Sequence, residues 1–163
     1  MIIINKSKYL KYKNYKFRCA LGKNGIKIKK REGDNITPKG CYKIAKVYYR
    51  KDRIKKISAR IKCDYIKKNM GWCDDPKSKE YNKLIKIPSQ YNHEKLYRKD
   101  NIYDLILVLN YNMRPVIKNK GSAIFIHVAK KNYKPTKGCI SLKKQDLTKI
   151  LSLVTKKTKV LIN

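Results

Sequence analysis

Two residues that could carry out covalent chemistry lie near the C-terminal end of the sequence. His127 falls near the end of an apolar segment, 122–129, and Cys139 follows twelve residues later, shortly before a predicted helix. A cysteine becomes a strong nucleophile as the thiolate, which an imidazolium ring and the positive N-terminus of a helix both stabilise. The spacing therefore predicts a nucleophilic Cys139 with His127 as its base.

The residue before Cys139 supports the same chemistry. Gly138 allows a tight turn that would direct the backbone N–H groups of Gly138 and Cys139 toward a substrate carbonyl oxygen as it becomes an oxyanion. The residues alone leave a second interpretation open. A histidine in a strand is often a packed core residue, and a Gly-Cys pair is common.

The remaining cysteines and histidine form no recognisable metal-binding pattern. No two cysteines have a Cys-x-x-Cys spacing, and neither His93 nor His127 has zinc-type spacing to paired cysteines. We therefore expect no metal site and no cofactor. The chain has five cysteines, so at least one thiol stays outside any disulfide framework. Besides Cys139, they are Cys19, Cys41, Cys63 and Cys73.

The elements around Cys139 and His127 indicate a mainly β domain. Residues 103–111 and 122–129 are apolar runs of strand length, which predicts two central strands buried on both faces. Segments 41–49 and 159–162 predict two further strands. The expected fold is a β-sandwich or a barrel-like pair of sheets with one principal C-terminal helix.

The same reasoning places that helix and one hairpin. Apolar residues at helical spacing predict the helix at 143–154, with Ser141 as its N-cap and its N-terminus directed toward Cys139. Asn24-Gly25 separates the segments 15–22 and 26–29, which indicates a β-hairpin.

Length and charge limit the classes of function. The 163 residues suit a single domain spanning 1–163, no apolar run approaches the length of a membrane span, and no secretory signal is visible. The 43 Lys and Arg residues outnumber 11 Asp and Glu, for a net charge of +32. An anionic partner explains this charge, and so does a compositional bias toward Lys, Ile, Asn and Tyr.

Four segments together resemble a known family. GSAIFIHVAKKNYKPTKGCISL resembles the active-site signature of the YkuD-type L,D-transpeptidases: a strand bearing His, a loop, then Ser or Thr, one residue, Gly and Cys. TPKG at 37–40 is similar to the Thr-Pro-x-Gly turn of that family. GWCDDPKSKEYNKLI and YDLILVLNYN resemble a compact branch made of the catalytic domain alone. The resemblance covers about residues 15–162 and implies the fold of that catalytic domain.

This resemblance implies a role for each site residue. Cys139 would be the acyl-accepting nucleophile, His127 its base held by a backbone carbonyl, Gly138 an oxyanion donor together with Cys139, and Thr136 part of the lining. The sequence departs from the familiar signature at two positions. Lys137 replaces a His, and Ser141 replaces an Arg that would anchor a carboxylate or the structure.

The reaction implied is the crosslinking of peptidoglycan stem peptides through a thioester on Cys139. A carboxylate of the stem would dock on Arg98, Arg114 or Lys137. Weaker candidates for the cleft wall are Trp72, Asp75, Tyr81 and Tyr111. The resemblance also implies acylation by carbapenems and a place in the cell envelope or periplasm, and we expect a monomer.

Two other functions stay open at this point. The same Cys–His pair with water as the acceptor would make an L,D-carboxypeptidase. A basic nucleic-acid-binding module would make the pair incidental, but the lysines are spread evenly and no RNA-binding aromatic signature is present, so nucleic acid is not expected. The type of crosslink also stays open. It would join two diaminopimelate residues, or it would start from the L-alanine at stem position one.

Overall fold

A computed structural model describes all residues, Met1–Asn163, and strands dominate it. One helix, α1, spans Lys144–Leu153, and a short 3-10 helix spans Lys131–Tyr133. The strands are β1 Ile2–Asn5, β2 Tyr9–Tyr12, β3 Tyr15–Arg18, β4 Ile26–Lys27, β5 Thr37–Pro38, β6 Gly40–Tyr49, β7 Asp64–Tyr65, β8 Met70–Cys73, β9 Leu84–Lys86, β10 His93–Lys95, β11 Leu105–Leu109, β12 Phe125–Val128, β13 Ile140–Leu142 and β14 Lys159–Ile162.

The main sheet is a nearly closed barrel. Its strand order is β13-β12-β11-β6-β14-β1-β2-β3, with β7 paired to β6. Ala20, just beyond β3, exchanges two backbone hydrogen bonds with Ser141 in β13, at 2.8 and 3.0 Å, and so joins the two ends of the sheet. The predicted barrel-like β fold with one principal helix is confirmed.

The predicted central strands lie where the site is built. β11 pairs antiparallel with both β6 and β12, and every residue of β11 and β12 is buried. Apart from His127, these strands are apolar throughout, because helix α1 and the main core cover one face and a second cluster covers the other. That second cluster is built around Trp72, Tyr103 and Phe125.

The predicted hairpin at Asn24-Gly25 is wrong. Gly25 does turn the chain, at a φ of 72°, but β4 pairs in parallel with β5 and β3 pairs with β2. The hairpin is instead formed by β2 and β3 around Lys13-Asn14, where Tyr12 pairs with Tyr15. A local turn signal fixes a change of direction but not the partner of the strand that follows.

The predicted helix is confirmed, but its predicted cap is wrong. Ser141 lies in β13, and the residue at the cap position is Lys143, which makes no side-chain cap hydrogen bond. Ser141 stays in the strand because its backbone pairs with both Ala20 and His127. Leu147, Ile150 and Leu151 form the buried face of α1, as their spacing predicts.

Candidate active site

The parallel pair β12 and β13 brings His127 and Cys139 to one face of the sheet. Their register aligns Ile126 with Ile140 and His127 with Ser141, and Cys139 directly precedes β13. Since side chains alternate along a strand, positions 127, 139 and 141 share a face. The Phe125 N–H donates to Cys139 Sγ at 3.4 Å, which fixes the sulfur beside β12. Both residues line the same pocket.

The turn before Cys139 is held by the Thr136 hydroxyl. Thr136 Oγ1 donates to the Cys139 carbonyl oxygen at 2.6 Å and accepts from the Gly138 N–H at 3.1 Å. Gly138 has a φ of 140°, and a Cβ there would lie 2.9 Å from the Ile36 carbonyl oxygen, so only glycine fits. The backbone shape that presents the thiol thus depends on Thr136 and Gly138.

Thr136→Val is expected to lower turnover roughly tenfold, because the variant loses one donor and one acceptor that each contribute about 1 kcal/mol to holding the turn. Thr136→Ser keeps the hydroxyl and should retain most of the activity. The measurement is kcat/KM of the two variants, made at a temperature at which both are fully folded. Equal activity of both variants would contradict a role for this hydroxyl.

His127 is held as a neutral base. Its side chain is buried, with Nδ1 2.9 Å from the Val128 carbonyl oxygen and its ring edge against Tyr103. A carbonyl can only accept, so Nδ1 carries the hydrogen and Nε2 is left to accept a proton. Burial lowers the pKa of His127 to about 4. The ring is therefore neutral at pH 7.

The buried neutral ring should also make stability depend on pH. The pKa of His127 is about 4 in the folded chain and near 6.5 in the unfolded chain, so only the unfolded state takes up the proton between these values. Stability should fall as pH drops from 6.5 to 4, by about 3 kcal/mol from this residue. Urea unfolding of the wild type and His127→Gln across this range tests it, and equal slopes would contradict the burial argument.

Cys139 is a protonated thiol in this structure. Its Sγ donates to the Ala123 carbonyl oxygen at 3.0 Å, and burial raises the pKa of Cys139 to about 12. Any reaction at Cys139 would therefore start from the thiol and not from a thiolate. β13 lies between Cys139 and the start of α1 at Lys144, and stabilisation of the thiolate by the helix N-terminus stays a prediction.

The expected pair of oxyanion donors is reduced to one free group. The Gly138 N–H donates to Thr136 Oγ1, whereas the Cys139 N–H has no hydrogen-bond partner. A carbonyl oxygen bound at the nucleophile can thus take a hydrogen bond from Cys139 without displacing an existing one.

The pocket around the two residues encloses about 410 Å³ and carries charge of both signs. Two predicted residues, Arg98 and Lys137, line it together with Lys130 and Lys134. Positive charge from Lys130 and Arg98 contributes to the low pKa of His127. Three carboxylates, which we call the acidic trio, also line the pocket: Glu32, Asp74 and Glu94.

The other predicted wall residues lie outside the pocket lining. Trp72 and Tyr81 are buried, and each uses its polar atom internally, on Asn82 and Glu32 respectively. The Tyr111 hydroxyl donates to the Lys120 carbonyl oxygen. Asp75 accepts from the backbone of its own turn, and Arg114 also does not reach the lining.

The sequence patterns did not identify the acidic trio as part of the site. Its members come from three distant segments, and only the Asp74-Asp75 pair stood out as a cluster of a scarce residue type. The available signal was scarcity itself, because acidic residues are rare in this chain.

Comparison with known proteins agrees with the geometry. The family model of the YkuD L,D-transpeptidase catalytic domain matches residues 1–162. The chain belongs to the YkuD family. Its membership implies a cysteine enzyme of the peptidoglycan L,D-transpeptidase class, and the domains of this family are typically cell-envelope enzymes. No curated protein matches the sequence.

The match extends beyond the segments that suggested the resemblance. It includes β1, which pairs in parallel with β14 and so ties the start of the chain to its end. No helix of this YkuD domain is long and apolar enough to cross a membrane. All five cysteines are free thiols.

Proposed function

We propose that this protein is an L,D-transpeptidase that crosslinks peptidoglycan stem peptides in the cell envelope through an acyl-enzyme on Cys139. The observation that carries the proposal is the placement of Cys139 and His127 on one face of β12 and β13, inside a pocket, with the acceptor nitrogen of His127 unprotonated. Family membership supplies the class of reaction.

In the first half-reaction, Cys139 Sγ attacks the carbonyl carbon of the donor stem while His127 Nε2 takes the thiol proton. The Cys139 N–H donates to the resulting oxyanion. The intermediate then collapses, His127 returns the proton to the leaving amine, and a terminal D-amino acid departs. A thioester on Cys139 remains.

In the second half-reaction, the side-chain amine of a neighbouring stem attacks the thioester carbonyl and gives a proton to His127. Collapse breaks the carbon–sulfur bond, and the proton returns to the thiolate. A new amide bond and the free enzyme result. Water in place of the amine would give an L,D-carboxypeptidase by the same steps.

A stem carboxylate is proposed to dock on Lys137. The side chain of Lys137 lines the pocket, is exposed and forms no ion pair, whereas Arg98 is already bound to Asp100 at 2.7 Å. An unpaired cation can offer its full charge to an anion. Arg98 would then assist from the His127 side of the pocket.

The proposed reaction is tested by mass spectrometry of muropeptides after incubation with purified tetrapeptide-stem monomers and dimers. Crosslinked products support a transpeptidase: a link from the diaminopimelate carbonyl releases one D-amino acid, whereas a link from the L-alanine carbonyl releases the rest of the donor stem. Shortened monomers alone would identify the carboxypeptidase. Unchanged muropeptides would contradict both.

A carbapenem is expected to acylate Cys139, because its strained lactam presents a carbonyl to the same thiol and oxyanion donor. Intact mass should rise by one drug adduct, peptide mapping should place the adduct on Cys139, and Cys139→Ala should show none. Labelling of several cysteines would indicate only exposed thiols. A Cys139 inert to both the drug and iodoacetamide would contradict its role as nucleophile.

A further inference from the structure

The acidic trio lacks the basic partners that most other carboxylates of this chain have. Lys and Arg outnumber Asp and Glu by 43 to 11. Six carboxylates have a basic group within 4 Å, namely Asp34, Asp52, Asp64, Glu80, Asp100 and Asp104. None of the acidic trio does, although all three line the active-site pocket. Negative charge is thus left unpaired where a substrate binds.

The hydrogen bonds of the trio come from neutral groups. Glu32 accepts from the buried Tyr81 hydroxyl, and Glu94 lies 3.5 Å from the Tyr103 hydroxyl. Both contacts hold the carboxylates in place without compensating their charge. Tyr81 is therefore a positioning residue for Glu32 rather than a part of the cleft wall.

An unsatisfied polar side chain lies in the same pocket. Ser122 is 5 % exposed, its hydroxyl has no hydrogen-bond partner, and it belongs to the pocket lining. Asp74 Oδ1 is also buried without a partner. Buried polar atoms are usually satisfied, so two orphans beside unpaired carboxylates point to a ligand that donates hydrogen bonds and carries positive charge.

The geometry favours an ammonium group over a metal ion. No group of three carboxylate, histidine or cysteine side chains in the chain converges closely enough to hold a metal. An ammonium group has three hydrogen-bond donors, and it can bind two nearby acceptors directly while a further carboxylate acts on its charge through space. The spread of the trio around the pocket suits that ligand.

We propose that the acidic trio and Ser122 form a subsite for a primary ammonium group of the donor substrate, and that filling this subsite increases the reactivity of the Cys139 thiol. The identity of the donor as a stem peptide rests on the proposed function. The ammonium group is assigned to the donor and not to the acceptor, because the donor must be bound before the thiol attacks.

The effect on reactivity follows from charge. Glu94 and Glu32 oppose ionisation of the sulfur and raise the pKa of Cys139, while Lys29 acts in the opposite direction. Lys29 is already paired with Asp34. A bound ammonium group would offset part of the negative charge of the trio and make the thiol easier to deprotonate. Substrate binding and nucleophile activation would then be coupled.

The test measures the rate at which iodoacetamide alkylates Cys139 at pH 8 and low salt, followed by peptide mapping. The probes are Nα-acetyl-lysine amide, which carries one ammonium group, and Nα-acetyl-norleucine amide, which has nearly the same shape without it. Saturating lysine probe should raise the rate about tenfold, equal to one pKa unit, and the norleucine probe should leave it unchanged. Equal rates with both probes would overturn the proposal.

Variants locate the effect. Glu94→Gln and Asp74→Asn should each abolish most of the acceleration, and Glu94→Gln should alkylate faster than wild type without any probe. Asp75→Asn is the matched control, because Asp75 is also without an ion pair but lies outside the pocket. Loss of acceleration in the control as well would overturn the assignment. The comparison of two probes on the wild type needs no variant to fold.

Two further comparisons distinguish an ammonium subsite from a metal site, and failure of the subsite from failure of the proposed reaction. Magnesium or calcium chloride that accelerates alkylation at lower concentration than the lysine probe would identify a metal site and overturn the ammonium assignment. Alkylation also requires no turnover. A lysine effect without any change in muropeptides would refute the proposed reaction and leave the subsite standing, whereas crosslinking without a lysine effect would refute the subsite alone.

Discussion

Cys139→Ala is expected to abolish turnover of stem peptides while the domain stays folded. The Cys139 sulfur is the only thiol in the pocket, and no other lining side chain can form a thioester. Its removal deletes one atom from a partly buried position and leaves the turn held by Thr136, so stability should change little. Loss should exceed 10³-fold, measured as crosslinked muropeptide per folded enzyme.

The four remaining cysteines are the matched controls for this prediction. Cys19 and Cys73 are buried in the core, Cys63 is half-buried and Cys41 is exposed; none of the four lines the active-site pocket. Serine at Cys19 or Cys73 buries a hydroxyl and should lower stability, but activity per folded molecule should persist. A comparable loss of activity from any one of them would show that the nucleophile has been misassigned.

The strands that carry the site could be predicted because they are buried on both faces. β11 is an uninterrupted apolar run and β12 is apolar except for His127, and this pattern can be recognised without knowing which strands pair with them. Helix α1 could also be predicted, from the helical spacing of its apolar residues. The pairing of β4 with β5 was not, because two-residue strands carry too few side chains to define a partner.

The core of the site was predictable for a different reason. His127 lies in β12 and Cys139 directly precedes the next strand, β13, so the single connection between them limits how far apart they can be. The acidic trio lies on loops and a strand more than 60 residues apart at the extremes, and no local pattern links them. Trp72 and Tyr81 show the converse, since conspicuous aromatic residues near a site more often pack than bind.

Replacement of His127 should have the second-largest effect. His127→Ala is expected to lower turnover about 10³-fold, within the range that loss of a general base produces, because the variant loses the neutral imidazole on the face of the sheet that carries Cys139. The ring nitrogen facing Val128 is committed to the carbonyl, so the opposite nitrogen is the acceptor. Acylation by a carbapenem and turnover of stem peptides should both fall.

His127→Gln distinguishes the loss of a base from the loss of packing. Glutamine fills much of the same buried volume and can hydrogen-bond, but it cannot accept the thiol proton at neutral pH, so its activity should match that of His127→Ala. Because burial keeps the pKa of His127 near 4, the wild-type acylation rate should hold steady from pH 7 to 5.5, where an exposed imidazole would already be protonated. Retained activity in His127→Gln, or an acid limb near pH 6.5, would mean that His127 orients the site without carrying the proton.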